Sequence, residues 1–144
     1  MKAIVSASVE ATPQFYDLDP MNIVWHGNYP RFLEPARVAV MKNIDYGYQE
    51  MVSSGFAWPI VDLRMRYARP MRLDRSVTIT AGIVEWANTL RIAYQIRDTQ
   101  TGERVMRASS TQVAVSIATQ EMLWASPQIL LEKLQPFLSR SVLA

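Results

Sequence analysis

Residues 15–37, FYDLDPMNIVWHGNYPRFLEPAR, gather Asp17, Asp19, the only histidine (His26), Gly27, Asn28 and Tyr29 just ahead of a helix start. A carboxylate can attack a carbonyl carbon or activate a water that does so. A helix N-terminus presents unpaired N–H groups and about half a positive charge, which suits a developing oxyanion. Both halves of an acyl-transfer site therefore sit within a dozen or so residues of each other. Gly27 is expected to let a ligand approach the backbone closely. The His26 side chain is a further candidate donor to a carbonyl or a leaving sulfur.

Taken one at a time, these residues also have structural readings. Asp is a common turn residue, Asn a common cap, and a lone His is more often a hydrogen-bonded structural residue than a catalyst. Asp17 and Asp19 fall on one side of an extended segment, but two carboxylates in a tight pocket disfavour joint ionisation, so one is expected to face substrate. Spacing does not choose between them.

The elements that must position this junction follow from periodicity. Residues 4–16 read as a first strand, with Pro13 confining it to an edge or an end. Tyr29, Phe32, Leu33, Ala36, Val40 and Ile44 recur at helical spacing, with Asn28 as the expected N-cap and Pro30 in the first turn. Pro35 is expected to kink this helix or end its first segment. VDLRMRYARP alternates as a strand, SVTITAGIVEW and RIAYQIRD are two more, and a long strand is expected from Arg104 to Ile117. Ser126 and Pro127 then open a short amphipathic helix carrying Ile129, Leu130, Leu134 and Phe137. Four meandering antiparallel strands plus the first make one curved sheet, and the long helix can bury its apolar stripe only across that sheet, an α+β layout. The edge strands of so small a sheet are expected to pair with a second copy, in a homodimer or homotetramer.

Composition narrows the chemistry. A length of 144 residues fits one domain, 1–144, and 49% hydrophobic against 19% charged residues suits a folded chain with large buried faces. With no cysteine there is neither a thiolate nucleophile nor a sulfur-ligated zinc site, and one histidine falls short of a catalytic zinc set, so no metal and no cofactor are expected. A net charge of +2 is a weak footprint for a nucleic-acid partner. No apolar run reaches membrane-spanning length and the first residues do not read as a signal peptide, so a cytoplasmic protein without a membrane partner is expected.

DLDPMNIVWHGNYPRFLEPAR resembles the junction of the hotdog-fold thioesterases of the 4-hydroxybenzoyl-CoA thioesterase type, which runs Asp-x-Asp, a variable pair, an apolar stretch, a small residue, Asn-Tyr and a helix with an acidic residue and Ala-Arg. YARPMRLDRSVTI matches the same family's tyrosine, proline and entry into the next strand. The resemblance implies a curved sheet wrapped around a central helix and hydrolysis of an acyl-CoA or acyl-carrier-protein thioester. It places the catalytic aspartate at Asp19 and the carbonyl-polarising backbone N–H at His26, and Asn28 and Tyr29 match residues that shape the helix start. FYDLDPMNIVWHGNY also looks like a subgroup associated with polyketide-like or aryl-polyene lipid synthesis. The chain departs from the family pattern at Asn22, usually glycine, and at Pro35; Asn22 is expected to take the left-handed turn that glycine would.

The acyl group is expected between helix and sheet or at a subunit interface, near Trp25, Tyr29, Trp58 and Met65, although such side chains are commonly just core. Arg69, with Arg64, Arg66, Arg72, Arg91, Arg104 and Arg107, is a candidate for coenzyme A phosphates; arginines alternating on a solvated sheet face need no ligand. Two rival readings use the same junction. One is a dehydratase, which needs a His with an acidic partner beside the thioester carbonyl; the other is a binding module that holds the thioester without cleaving it.

Overall fold

Val5, Ala7, Val9 and Ala11 turn one face of β1 (Val5–Ala11) inward, while Ser6, Ser8 and Glu10 face solvent in the computed structural model, which describes residues 1–143. The strand ends well before residue 16: Pro13 removes a ladder donor, and Phe15–Asp17 forms a 3-10 turn instead. A second 3-10 turn, His26–Asn28, leads directly into α1 (Tyr29–Asn43). Phe32, Leu33, Ala36 and Val40 form the buried stripe of α1, which lies against β1 and β4 (Val77–Glu85). The small Ala36, fully buried, lets the helix come close to the sheet.

Pro35 neither ends nor divides α1. It forfeits one main-chain hydrogen bond, but Phe32 and Leu33 before it and Ala36 and Val40 after it are anchored in the same core, so the two halves stay in register. Asn28 is at the N-cap position, yet its side chain makes no capping bond; its Nδ2 donates instead to the Asp17 carbonyl at 3.0 Å. The preceding 3-10 turn gives Asn28 a helical backbone, whereas a capping side chain needs an extended one.

After α2 (Tyr48–Ser53) come the two-residue β2 (Phe56–Ala57), then β3 (Ile60–Tyr67), β5 (Leu90–Asp98) and β6 (Arg104–Gln112). The sheet runs β1-β4-β5-β6-β3, antiparallel throughout. Only β4, β5 and β6 therefore form the expected meander. The strand at 60–67 crosses to the far edge beside β6, with Met65 opposite Ala108 and Tyr67 opposite Met106. The expected strand from Arg104 to Ile117 stops at Gln112, and β7 (Val115–Ser116) turns aside to pair with β2. The final helix is longer than expected: α3 spans Gln128–Leu143, with Leu130 and Leu134 fully buried.

Val77, Ile79, Ala81 and Ile83 of β4 and Leu90, Ile92, Tyr94 and Ile96 of β5 supply the sheet's share of the core. Full burial of each large aliphatic side chain stabilises the fold by about 1.5–3 kcal/mol. β3 differs. Ile60, Val61, Leu63 and Tyr67 are all exposed along an unpaired edge.

Candidate active site

Asp17 and Asp19 part company within two residues. Asp17 closes the 3-10 turn and is buried, its carboxylate accepting the Gln14 N–H at 2.8 Å and pairing with the half-exposed Arg31 of α1. The Asp17 carbonyl accepts the Trp25 N–H and the Asn28 amide, both at 3.0 Å. The residue therefore braces the helix start and has no free face for a substrate.

Asp19 begins a tight turn. Its N–H donates to the Ile23 carbonyl at 2.8 Å, its carbonyl accepts the Asn22 N–H at 3.0 Å, and its Oδ1 accepts the Met21 N–H at 2.8 Å. The turn needs a left-handed residue, and Asn22 supplies it with φ of 63°. Asp19 is half-buried, and among the described residues its Oδ2 has no hydrogen-bond partner. It opens onto a cleft of about 450 Å³ walled by Met21, Ile23, Val24, His26, Tyr29, Tyr67 and the segment Ala68–Pro70.

Two segments distant in sequence make this cleft. The Val24 N–H donates to the Met71 carbonyl at 2.9 Å, and the Met71 N–H donates to the Tyr29 hydroxyl at 3.2 Å, which ties the helix start to the loop after β3. Burial pushes the Tyr29 phenol above its ordinary pKa, with the Asp19 and Tyr67 charges adding to the rise. Tyr29 and Tyr67 meet edge to face with ring centroids 4.7 Å apart, and the Tyr67 hydroxyl donates to the His26 carbonyl at 2.9 Å.

At the helix start, the Trp25 carbonyl accepts the Asn28 N–H at 2.8 Å. The N–H groups of His26 and Gly27 have no acceptor among the described residues. Of the two residues, His26 lines the cleft together with Asp19. The His26 ring leans on Trp25, centroids 5.3 Å apart, and makes no hydrogen bond to Asp19, so the His-carboxylate dyad of a dehydratase is not assembled.

Other sequence-predicted site residues fall elsewhere. A Cβ at Gly27 would lie 2.5 Å from the Trp25 indole, so this glycine makes room for a neighbouring ring rather than for a ligand. Trp25 itself is 48% exposed and does not line the cleft. Trp58 lies in the core: its Nε1 donates to the Tyr46 hydroxyl at 3.0 Å and its carbonyl accepts the Gln112 amide at 2.8 Å. Its burial reflects packing between the α2–β3 connection and β6. Arg69 stands at the cleft rim, its Nε 3.6 Å from Glu103. Sequence reasoning missed Tyr67 and Pro70 as wall residues; YARPM carried a signal in the aromatic that ends a strand just before a proline.

A five-stranded antiparallel sheet wrapped on one long helix is the hotdog fold. Residues 13–138 match the model of the Thioesterase-like superfamily, and the chain belongs to that family. A putative esterase of Synechocystis is 30% identical over 128 residues, spanning 84% of this chain and 74% of its own. The long-chain acyl-CoA thioesterase FadM of Escherichia coli is 31% identical over 109 residues, 75% of this chain and 82% of its own. The structure of 4-hydroxybenzoyl-CoA thioesterase from Pseudomonas sp. strain CBS-3 superimposes with a TM-score of 0.77 at 25% identity, covering 90% of this chain and 99% of that one.

Proposed function

We propose that this chain is an acyl-CoA thioesterase in which Asp19 is the catalytic carboxylate and the His26 N–H, at the start of α1, polarises the thioester carbonyl. The observation that carries this reading is that Asp19, with one unpartnered carboxylate oxygen, shares a cleft with His26, while Asp17 is withdrawn into an ion pair.

Asp19 attacks the carbonyl carbon, or removes a proton from a water that does. Negative charge builds on the carbonyl oxygen, where one preorganised donor lowers the barrier by about 2.7–4 kcal/mol. Collapse expels the thiolate, which takes up a proton, and leaves the free acid directly or after water opens a mixed anhydride. Met21, Ile23, Val24, Tyr29 and Pro70 offer the acyl group an apolar wall, and Arg69 at the rim suits a phosphate of the thiol carrier. Coenzyme A as that carrier rests on the names of relatives such as FadM; an acyl-carrier protein presents the same thioester. Residues 1–144 act as one catalytic domain in the cytoplasm, where coenzyme A thioesters are made. The exposed apolar edge of β3 pairs with a second copy, giving a homodimer or homotetramer.

The test is thiol release from aromatic, short-, medium- and long-chain acyl-CoAs, read with a thiol-reactive dye to which a cysteine-free chain is silent. Turnover on at least one acyl-CoA, lost in Asp19→Ala with binding retained, is the expected result. Binding without turnover in the wild type would favour the binding module.

A further inference from the structure

We propose that Tyr67 is a positioning residue: through its hydroxyl on the His26 carbonyl it steadies the His26–Gly27 peptide and so aims the Gly27 N–H, a second donor beside that of His26 at the start of α1. The inference rests on the thioesterase reading of the cleft and adds a residue from another part of the fold to its machinery.

Tyr67 ends β3, on the opposite edge of the sheet from β1, 41 residues beyond His26 in sequence. A peptide unit is planar, with C=O and N–H pointing in opposite directions, so a bond that holds one end aims the other. The Trp25–His26 unit is held at its carbonyl by the Asn28 N–H. The next unit, His26–Gly27, lies in the 3-10 turn His26–Asn28, and its carbonyl accepts the Tyr67 hydroxyl at 2.9 Å from another part of the fold. Tyr67 therefore steadies the unit whose other end is the Gly27 N–H, directly beside the His26 N–H that the Trp25–His26 unit aims. The same bond occupies the lone pairs of a carbonyl beside the cleft that would otherwise repel a developing oxyanion.

The Tyr67 ring is itself held. It packs edge to face on the buried Tyr29, whose hydroxyl is fixed by the Met71 N–H. Burial raises the Tyr67 phenol above its ordinary pKa, so it remains a donor throughout the neutral range. Helix start, β3 terminus and the loop after it are thus locked into one unit by two phenols.

The experiment compares wild type with Tyr67→Phe, which keeps the ring and removes only the O–H, on the best acyl-CoA of the panel. The expected result is a fall in kcat of about 10- to 100-fold with KM changed less than about 3-fold, the mark of a misplaced donor rather than a lost contact. Tm stays within about 2 °C, which a merely structural role would not predict alongside such a loss. In amide NMR spectra of Tyr67→Phe the His26 and Gly27 signals shift or broaden. A kcat within about 2-fold of wild type, or a rise in KM with kcat unchanged, would overturn the inference. No thiol release by the wild type would overturn the thioesterase reading itself and the role of Tyr67 with it, an outcome distinct from a Tyr67→Phe variant that works.

Discussion

Asp17 and Asp19 have the same side chain and nearly the same place in the chain, but opposite surroundings. Asp17 is 2% exposed, paired with Arg31 and bonded to the Gln14 N–H, and its carbonyl holds Trp25 and Asn28. Asp19 leads a turn whose backbone bonds are satisfied within itself, leaving one carboxylate oxygen toward the cleft. The division shows how one short segment serves two ends: a buried charge braces the helix start while an open charge two residues on lines the cleft. Stability belongs to the first aspartate and, in the mechanism proposed above, chemistry to the second.

The largest effect expected of any substitution follows from that division. Asp19→Asn keeps the turn, because an amide oxygen can still accept the Met21 N–H, but it is neither base nor nucleophile; kcat on the preferred acyl-CoA should fall about 10³-fold or more with Tm nearly unchanged. The mirror experiment is Arg31→Ala, which leaves the Asp17 carboxylate buried without its cation. Breaking a fully buried pair costs about 3–5 kcal/mol, and because Arg31 is 54% exposed the expected loss is lower, about 2–3 kcal/mol in urea unfolding. Its kcat should fall less than about 10-fold, since the Asp17 carbonyl still holds the helix start.

Smaller effects sharpen the boundary between site and core. Trp58→Phe removes the N–H donated to Tyr46 and should cost about 1 kcal/mol of stability, read by urea unfolding, while kcat and KM stay within about 2-fold. A change in acyl preference instead would return Trp58 to the substrate pocket.

The smallest effect lies at the turn between β5 and β6. Hydrogen bonding from Arg75, helped by the Thr101 and Gln100 N–H groups, lowers the Asp98 carboxyl to about 2. The folded state therefore favours the ionised form. That contribution is complete above the ordinary carboxyl pKa of about 3.8 and is lost as pH falls toward 2. In thermal unfolding between pH 5 and pH 2, Asp98→Asn should flatten part of the wild-type decline in Tm, at a turn with no bearing on catalysis.

Much of this was legible in the sequence. The α1 stripe, the alternation of β4 and β5 and the Asp-x-Asp-to-Asn-Tyr junction are local patterns, and local patterns follow from side-chain period. What was hidden was non-local. Nothing within VDLRMRY tells a strand that it will cross to the far side of β6 rather than pair with the next strand, because its partner is chosen by the whole sheet. Trp58 and Tyr67 are both aromatic residues near a proline, yet one faces Tyr46 in the core and the other the cleft; only the placement of β3 separates them. Asn28 and Gly27 have the residue types expected of a cap and of a ligand approach, but serve a carbonyl two turns back and a neighbouring indole. Spacing alone could not divide the work between Asp17 and Asp19, because the turn at Asn22 and the reach of Arg31 are what rotate them apart.

The central claim is tested most directly by measuring kcat for Asp19→Asn and Asp17→Asn side by side, on the same acyl-CoA, with each protein shown folded by its Tm. Loss of turnover in Asp19→Asn at a wild-type Tm, with a lowered Tm but largely retained turnover in Asp17→Asn, is the result expected. An active Asp19→Asn beside a folded but inactive Asp17→Asn would contradict it and move the chemistry to the buried carboxylate.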